Sequence, residues 1–103
     1  MIIQLNTDKN IEGNERLEEY LNSVISKELS RFTDNITRVE VHLSDENGSK
    51  SGVNDKQCTL EARVENKQPI VVSAKGDTLE KAVTASLDKL KTSIEKVYDK
   101  IRN

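Results

Sequence analysis

The sequence predicts an α+β fold in which a four-stranded mixed sheet carries two helices on one face, with the element order β-α-β-β-β-α. Two observations predict it. Two long segments space their apolar residues by three and four, the period of an amphipathic helix. Four short segments alternate apolar with polar residues, the period of a strand that is buried on one side. Because 103 residues suit one small core, residues 1–103 are predicted to form a single domain.

The first strand and the first helix come from the N-terminal third of the chain. Residues 3–6 (IQLN) alternate apolar and polar side chains. The helix is predicted from about Glu15 to Phe32, with Asn14 as its N-cap, because an Asn side-chain oxygen can accept a backbone N–H of the first turn. Its apolar face is formed by Leu17, Tyr20, Leu21, Val24, Ile25, Leu29 and Phe32.

The middle of the chain predicts three consecutive strands. The segments ITRVEVHL (36–43), CTLEARVE (58–65) and IVVSAK (70–75) each alternate apolar and polar residues. Their succession is typical of an antiparallel meander. The connecting segment SDENGSKSGVND (44–55) is rich in Ser, Asn, Asp and Gly and is predicted to be a long hairpin loop.

The last helix is predicted to begin with a variant capping box. Asp77 would accept a backbone N–H and Glu80 would reach back to the start of the helix. The apolar stripe consists of Leu79, Val83, Leu87, Leu90, Ile94, Val97 and Ile101. Since the first strand reaches the second through a helix, those two strands can pair in parallel, with both helices over the same sheet face.

The only histidine and the only cysteine lie close together in the chain, at His42 and Cys58. Strand alternation puts them on opposite sheet faces, where they cannot share a metal ion. The segment 45–48 (DENG) superficially resembles a calcium loop but lacks the alternating acidic positions and the closing glutamate. No catalytic triad, C-x-x-C or phosphate-binding loop is present, so we expect no metal, no cofactor and no enzymatic activity.

Composition limits the compartment and the partners. One cysteine cannot form an internal disulfide, which suits a reducing cytoplasm. No apolar run approaches the eighteen residues that a membrane helix needs. A net charge of −2 argues against general attraction to nucleic acid, although it leaves room for a local basic patch.

A helical wheel sorts opposite charges onto different sides of both helices. One flank of the last helix carries Lys89, Lys96 and Lys100, and its back carries Asp88, Glu95 and Asp99. The corresponding flank of the first helix carries Arg16, Lys27 and Arg31. Lysines that extend over a core edge, or bases that complement a helix dipole, would give the same pattern. Whether the two basic lines converge depends on a crossing geometry that the sequence does not fix.

Two segments resemble the ribosome hibernation-promoting factor family, also known as ribosome-associated inhibitors or sigma-54 modulation proteins. They are LEEYLNSVISKELSRFTDNITRVEVHL (17–43) and VVSAKGDTLEKAVTASLDKLKTSIEKVYDK (71–100). The segment 42–73 is similar to standalone members with a D-E-N-G loop and a D-K-x-C-x-L-E-A-R strand. The similarity covers essentially the whole chain, and we expect a short form without the dimerisation domain of longer relatives.

In this family the small domain binds the small ribosomal subunit in the channel used by messenger and transfer RNA. The resemblance implies that Lys27 and Arg31 of the first helix, with Lys89, Lys96 and Lys100 of the last, bind ribosomal RNA. It further implies a bacterial, cytoplasmic, non-catalytic protein that modulates translation under stress, with neither DNA nor membrane as a partner.

The alternative is a protein-interaction module that keeps the fold without ribosome binding. It would engage a partner through the acidic loop or an exposed strand edge.

Overall fold

The computed structural model describes residues 1–46 and 55–102, with side chains described as far as Val97. The predicted element order is confirmed: β1 (Ile2–Thr7), α1 (Glu15–Glu28), a 3-10 turn (Ser30–Phe32), β2 (Ile36–Asp45), β3 (Lys56–Val64), β4 (Ile70–Gly76) and α2 (Leu79–Arg102). β2 continues two residues into the predicted loop of residues 44–55, and residues 47–54 of that loop lie outside the described residues. No helix in the described part of the chain is long and apolar enough to cross a membrane.

The four strands form one mixed sheet in the order β1-β2-β3-β4. β1 pairs in parallel with β2, and the other two neighbouring pairs are antiparallel. The predicted parallel pairing of the first two strands is therefore confirmed, because α1 carries the chain back between them. β1 and β4 are the two edges of the sheet.

The pleat places the apolar positions of the strands on one face. One register row runs through Leu5, Val41, Leu60 and Val72. Both helices bury their apolar stripes against this face, each such side chain contributing roughly 1.5–3 kcal/mol. The helical core residues with at most 1% exposure are Leu21 and Ile25 of α1 and Ala82, Val83, Leu87, Leu90 and Ile94 of α2. The predicted packing of both helices on one face is confirmed.

α1 begins as predicted and ends earlier. The side chain of Asn14 accepts the backbone N–H of Leu17 at 2.9 Å, which confirms the N-cap. The α-helix stops at Glu28 rather than at Phe32, since Leu29 leaves helical geometry (φ −104, ψ 16) and Phe32 N–H bonds to Leu29 C=O at 2.9 Å. A spacing of three residues fits a 3-10 turn as well as an α-helix, so the apolar stripe could not show the change.

The predicted cap of α2 was wrong by one residue. Thr78 Oγ1 accepts the backbone N–H of Lys81 at 3.1 Å, and Thr78 C=O accepts that of Ala82 at 3.1 Å. Asp77 instead lies 3.2 Å from the ammonium of Lys81 as an exposed ion pair. Asp and Thr are both good N-caps, and the sequence places them side by side at the start of the helix.

Candidate nucleic-acid interface

α1 and α2 lie side by side and run in the same direction. β1, β2 and β4 share one direction, because β3 is antiparallel to both of its neighbours, and each helix follows one of these strands back across the sheet. α1 lies beside β1, where Leu21 lines a cleft with Ile3. The two helices meet through an ion pair in which Lys91 Nζ of α2 lies 3.3 Å from Glu28 Oε1 of α1.

Gly76 sets the close approach of β4 to α2. It is buried at the end of the strand, and a Cβ at this position would lie 2.8 Å from the backbone nitrogen of Ala82. Real Cβ atoms do not approach backbone that closely, so only glycine allows the helix to turn back this tightly. The tight turn places the first half of α2 directly beside the outer strand.

The lysines of α2 lie on the flank beside the β4 edge. Lys89 Nζ donates a hydrogen bond to the carbonyl oxygen of Ser73 in β4, at 2.8 Å. Lys96 is exposed and follows seven residues later, about two helical turns, so it shares this flank. We name Lys89 and Lys96 the α2 lysine line. Lys100 belongs to α2 by its backbone, and its side chain lies outside the described residues.

The basic residues of α1 lie on the flank that faces α2. Lys27 is exposed in the last turn of α1 and forms no ion pair with a side chain that the structure describes. Arg31 lies in the 3-10 turn, where its guanidinium forms an ion pair with Glu95 of α2 and sits 4.7 Å from the centroid of the Phe32 ring. Lys27 and Arg31 therefore differ in how much of their charge is offset.

The two basic lines lie on opposite flanks of α2. Arg31 reaches the flank of α2 that faces α1, whereas Lys89 reaches β4 on the other side. The body of α2, about 10 Å across, separates the two lines. The crossing geometry that the sequence left open thus yields two cationic strips with an α-helix between them.

Sequence reasoning missed the ion pairs that join the two helices. The helical wheel placed Glu95 on the back of α2, and the structure brings it against Arg31. Lys91 was not singled out, although it pairs with Glu28, the one acidic residue inside the apolar stripe of α1. An acid in a buried stripe is a signal for a partner, which could have directed attention to a basic residue on α2.

The open face of the sheet is charged but internally compensated. Arg38 lies opposite Arg63 in the register, and Glu40 lies opposite Glu61. Ion pairs link these rows: Arg63 Nη2 lies 3.8 Å from Glu40 Oε2 and 3.7 Å from Glu61 Oε2, and Arg38 Nε lies 3.9 Å from Glu40 Oε2. Since each arginine has a carboxylate neighbour, this face offers less net positive charge than the helical side.

His42 and Cys58 lie on opposite faces of the sheet, as predicted. Cys58 pairs with Leu43 in the register and is fully buried, whereas His42 is exposed. Burial raises the pKa of the Cys58 thiol, and a hydrogen bond with Ser86 offsets part of that effect. Within residues 1–46 and 55–97 no group of three His, Cys, Asp or Glu side chains is arranged to hold a metal ion.

Lys56 is held by two buried carboxylates where β2 and β3 meet the loop. Its Nζ lies 3.0 Å from both carboxylate oxygens of Asp55 and 3.4 Å from Asp45 Oδ2. The hydrogen bond with Asp55 is the main cause that raises the pKa of Lys56, against the opposing effect of partial desolvation. This lysine is engaged inside the protein and contributes little to an outer cationic surface.

A mixed four-stranded sheet with two parallel helices on one face, the helices edged with lysine and arginine, defines the class of small α+β domain to which the chain belongs. The model of the Sigma 54 modulation protein / S30EA ribosomal protein family matches residues 6–102, and the chain is a member of that family. The resemblance inferred from residues 17–43 and 71–100 is thereby confirmed.

Solved structures with the same fold include two from bacteria. A ribosomal subunit interface protein from Coxiella burnetii aligns with a TM-score of 0.74 at 20% identity, over 96% of this chain and 99% of that one. The N-terminal domain of Protein Y from Thermus thermophilus aligns with a TM-score of 0.74 at 18% identity, over 94% and 99% respectively. No curated protein sequence matches the chain.

Proposed function

We propose that this protein binds ribosomal RNA of the small ribosomal subunit and modulates translation under stress in the bacterial cytoplasm. Membership of the S30EA ribosomal protein family supports the ribosome as its partner. The observation that carries the RNA contact is a set of three exposed lysines on the helices, none of which pairs with a carboxylate among the described side chains: Lys27, Lys89 and Lys96.

Phosphate neutralisation would supply the binding energy. An ammonium that has no carboxylate partner can take a phosphate oxygen without first breaking an ion pair, and it releases condensed counterions from the RNA. Two cationic strips on either side of α2 suit recognition of RNA shape more than of base sequence. Arg31 and Lys100 would complete a set of five contacts, which gives a log–log salt slope of roughly −3 to −4.

The same proposal assigns no catalytic step to the protein. The only imidazole, on His42, is exposed on the open sheet face, and the only thiol, on Cys58, is buried on the other. A nucleophile and its general base have to lie within hydrogen-bond reach of each other. Binding without chemistry is the activity that this arrangement supports.

Co-sedimentation of the full chain with bacterial ribosomes at low and high salt tests the proposal. The double variant Lys89→Glu/Lys96→Glu should lose most of the ribosome-bound fraction at low salt, because two phosphate contacts become repulsive. The matched control Lys9→Glu/Lys81→Glu changes the net charge equally. It alters two exposed side chains at the other end of the molecule, at the close of β1 and in the first turn of α2.

Equal co-sedimentation of both double variants would remove the α2 lysine line from the proposal. If instead the wild-type chain captures defined proteins and no ribosomal components in a pull-down, the interaction-module alternative replaces it.

A further inference from the structure

Arg31 differs from the other described residues of the proposed interface in being already bound to a carboxylate. Its guanidinium forms an ion pair with Glu95, and the ring of Phe32 lies 4.7 Å away. The side chains of Arg31 and Glu95 are 65% and 49% exposed. The pair thus faces the solvent from which an RNA backbone would approach.

We propose that Glu95 limits the RNA affinity of this protein by competing with RNA phosphate for Arg31, an inference that rests on the proposed function. Carboxylate and phosphate both offer oxygen acceptors that match the planar guanidinium fork, so they use the same N–H donors. A phosphate gains those donors only when the Glu95 carboxylate moves aside. The displaced carboxylate remains nearby and repels the phosphate.

The exchange is reversible because the pair is weak and Arg31 stays in position without it. Ion pairs with this exposure contribute little to stability, so opening one is easy. The contact between the guanidinium and the Phe32 ring does not involve Glu95 and keeps the charge at the protein surface after the pair opens. Arg31 is therefore available to RNA at a reduced effective affinity.

The second interhelical pair does not have this role. Glu28 and Lys91 are only 35% and 32% exposed, and they lie in the seam where α1 meets α2. A partly buried pair at a helix contact holds the two elements together, and removing one partner leaves the other charge poorly solvated. The competition is consequently assigned to Glu95 alone.

The substitution Glu95→Gln tests the inference, since glutamine keeps the shape and the helix propensity of the side chain and removes its charge. Binding of the labelled full chain to purified bacterial small ribosomal subunits is measured by fluorescence anisotropy over a series of salt concentrations. The variant should bind roughly two- to five-fold more tightly than wild type, the range set by the strength of an exposed ion pair. Its log–log salt slope should steepen by roughly 0.7 to 0.9, the value for one added phosphate contact.

Two control variants separate this effect from a general change in charge. Glu80→Gln removes an exposed acid from the same helix, roughly 22 Å from position 95 along the helix axis. That distance exceeds the Debye length of about 10 Å at 0.1 M salt, so this variant should bind like wild type. In an Arg31→Gln background, the gain from Glu95→Gln should disappear, because the two residues act as a coupled pair.

The outcomes separate the inference from the proposed function. Equal affinities for Glu95→Gln and Glu80→Gln, or a gain that persists in the Arg31→Gln background, would overturn the competition while leaving the RNA interface in place. If the wild-type chain shows no binding to small subunits at any salt concentration, the proposed function falls and the competition falls with it.

Discussion

Lys56 links the charges at the loop end of the sheet. Asp55 and Asp45 are only 3% and 6% exposed, and a buried carboxylate is unfavourable unless it is paired and hydrogen bonded. Lys56 sits between them at hydrogen-bond distance from Asp55. The ammonium therefore allows two acids to be buried where β2 and β3 come together.

Replacing Lys56 with Met should destabilise the protein, because it leaves the Asp55 carboxylate buried without its ammonium. Lys56→Arg keeps the charge and should retain most of the stability. Thermal unfolding of both variants, followed by circular dichroism, is the measurement: the Tm of Lys56→Met should be lower by several degrees than that of Lys56→Arg. Indistinguishable Tm values would show that the two carboxylates need no cationic partner.

Cys58 makes stability depend on pH in the alkaline range. A thiol ordinarily ionises near pH 9.0, and burial raises the pKa of Cys58 above that value. A raised folded-state pKa gives stability that is fully present below pH 9 and is lost as the pH rises through the folded-state pKa. The pKa values of Tyr20, raised chiefly by burial, and of Lys56, raised chiefly by Asp55, act in the same direction above pH 10.

The free energy of unfolding of the wild type should therefore fall from pH 8 to pH 10, and that of Cys58→Ala should fall less, because alanine has no proton to lose. Urea unfolding at several pH values measures both. At neutral pH the wild type should be the more stable of the two, since alanine leaves a small cavity in the core. A difference between the two proteins that stays constant from pH 8 to pH 10 would contradict the assignment to Cys58.

At the scale of elements, Thr78 rather than Asp77 starts α2. Thr78→Ala should destabilise the protein by about 1 kcal/mol, the typical effect of losing an N-cap. Asp77→Ala removes only an exposed ion pair with Lys81 and should cost less than about 0.5 kcal/mol. Urea midpoints of the two variants decide the order, and a larger loss for Asp77→Ala would restore the cap to Asp77.

Periodicity predicted which elements exist, and local competition decided where they end. The spacing of two for strands and of three to four for helices reflects burial on one side, which the whole fold enforces, so the six elements and their order could be predicted. The ends depend on single hydrogen bonds: Thr78 and Asp77 compete for one N–H, and Leu29 departs from helical geometry before Phe32 is reached. Such choices leave no periodic trace.

The candidate site was predictable only in part for a similar reason. A helical wheel places Lys89 and Lys96 on one flank, because that depends on α2 alone. It does not say which flank faces the other helix. The contact between Arg31 and Glu95 depends on how α1 and α2 lie against each other, and this is a property of the packed sheet.

At the scale of the whole molecule, an excess of acid coexists with a cationic helical side. The net charge is −2, yet the open sheet face compensates its own arginines and the loop end compensates Lys56. The lysines without carboxylate partners among the described side chains of the helices are Lys27, Lys89 and Lys96. Because the Debye length is about 10 Å at 0.1 M salt, a docked RNA backbone responds to these nearby charges more than to the net charge.

The salt dependence of binding to small ribosomal subunits tests the central claim most directly. We expect a log–log slope of roughly −3 to −4 for the wild type, reduced in magnitude by roughly 1.4 in Lys89→Glu/Lys96→Glu, the value for two lost contacts. The charge-matched Lys9→Glu/Lys81→Glu should keep the wild-type slope. A wild-type slope near zero, or the same slope for both double variants, would contradict RNA docking through the helical lysines.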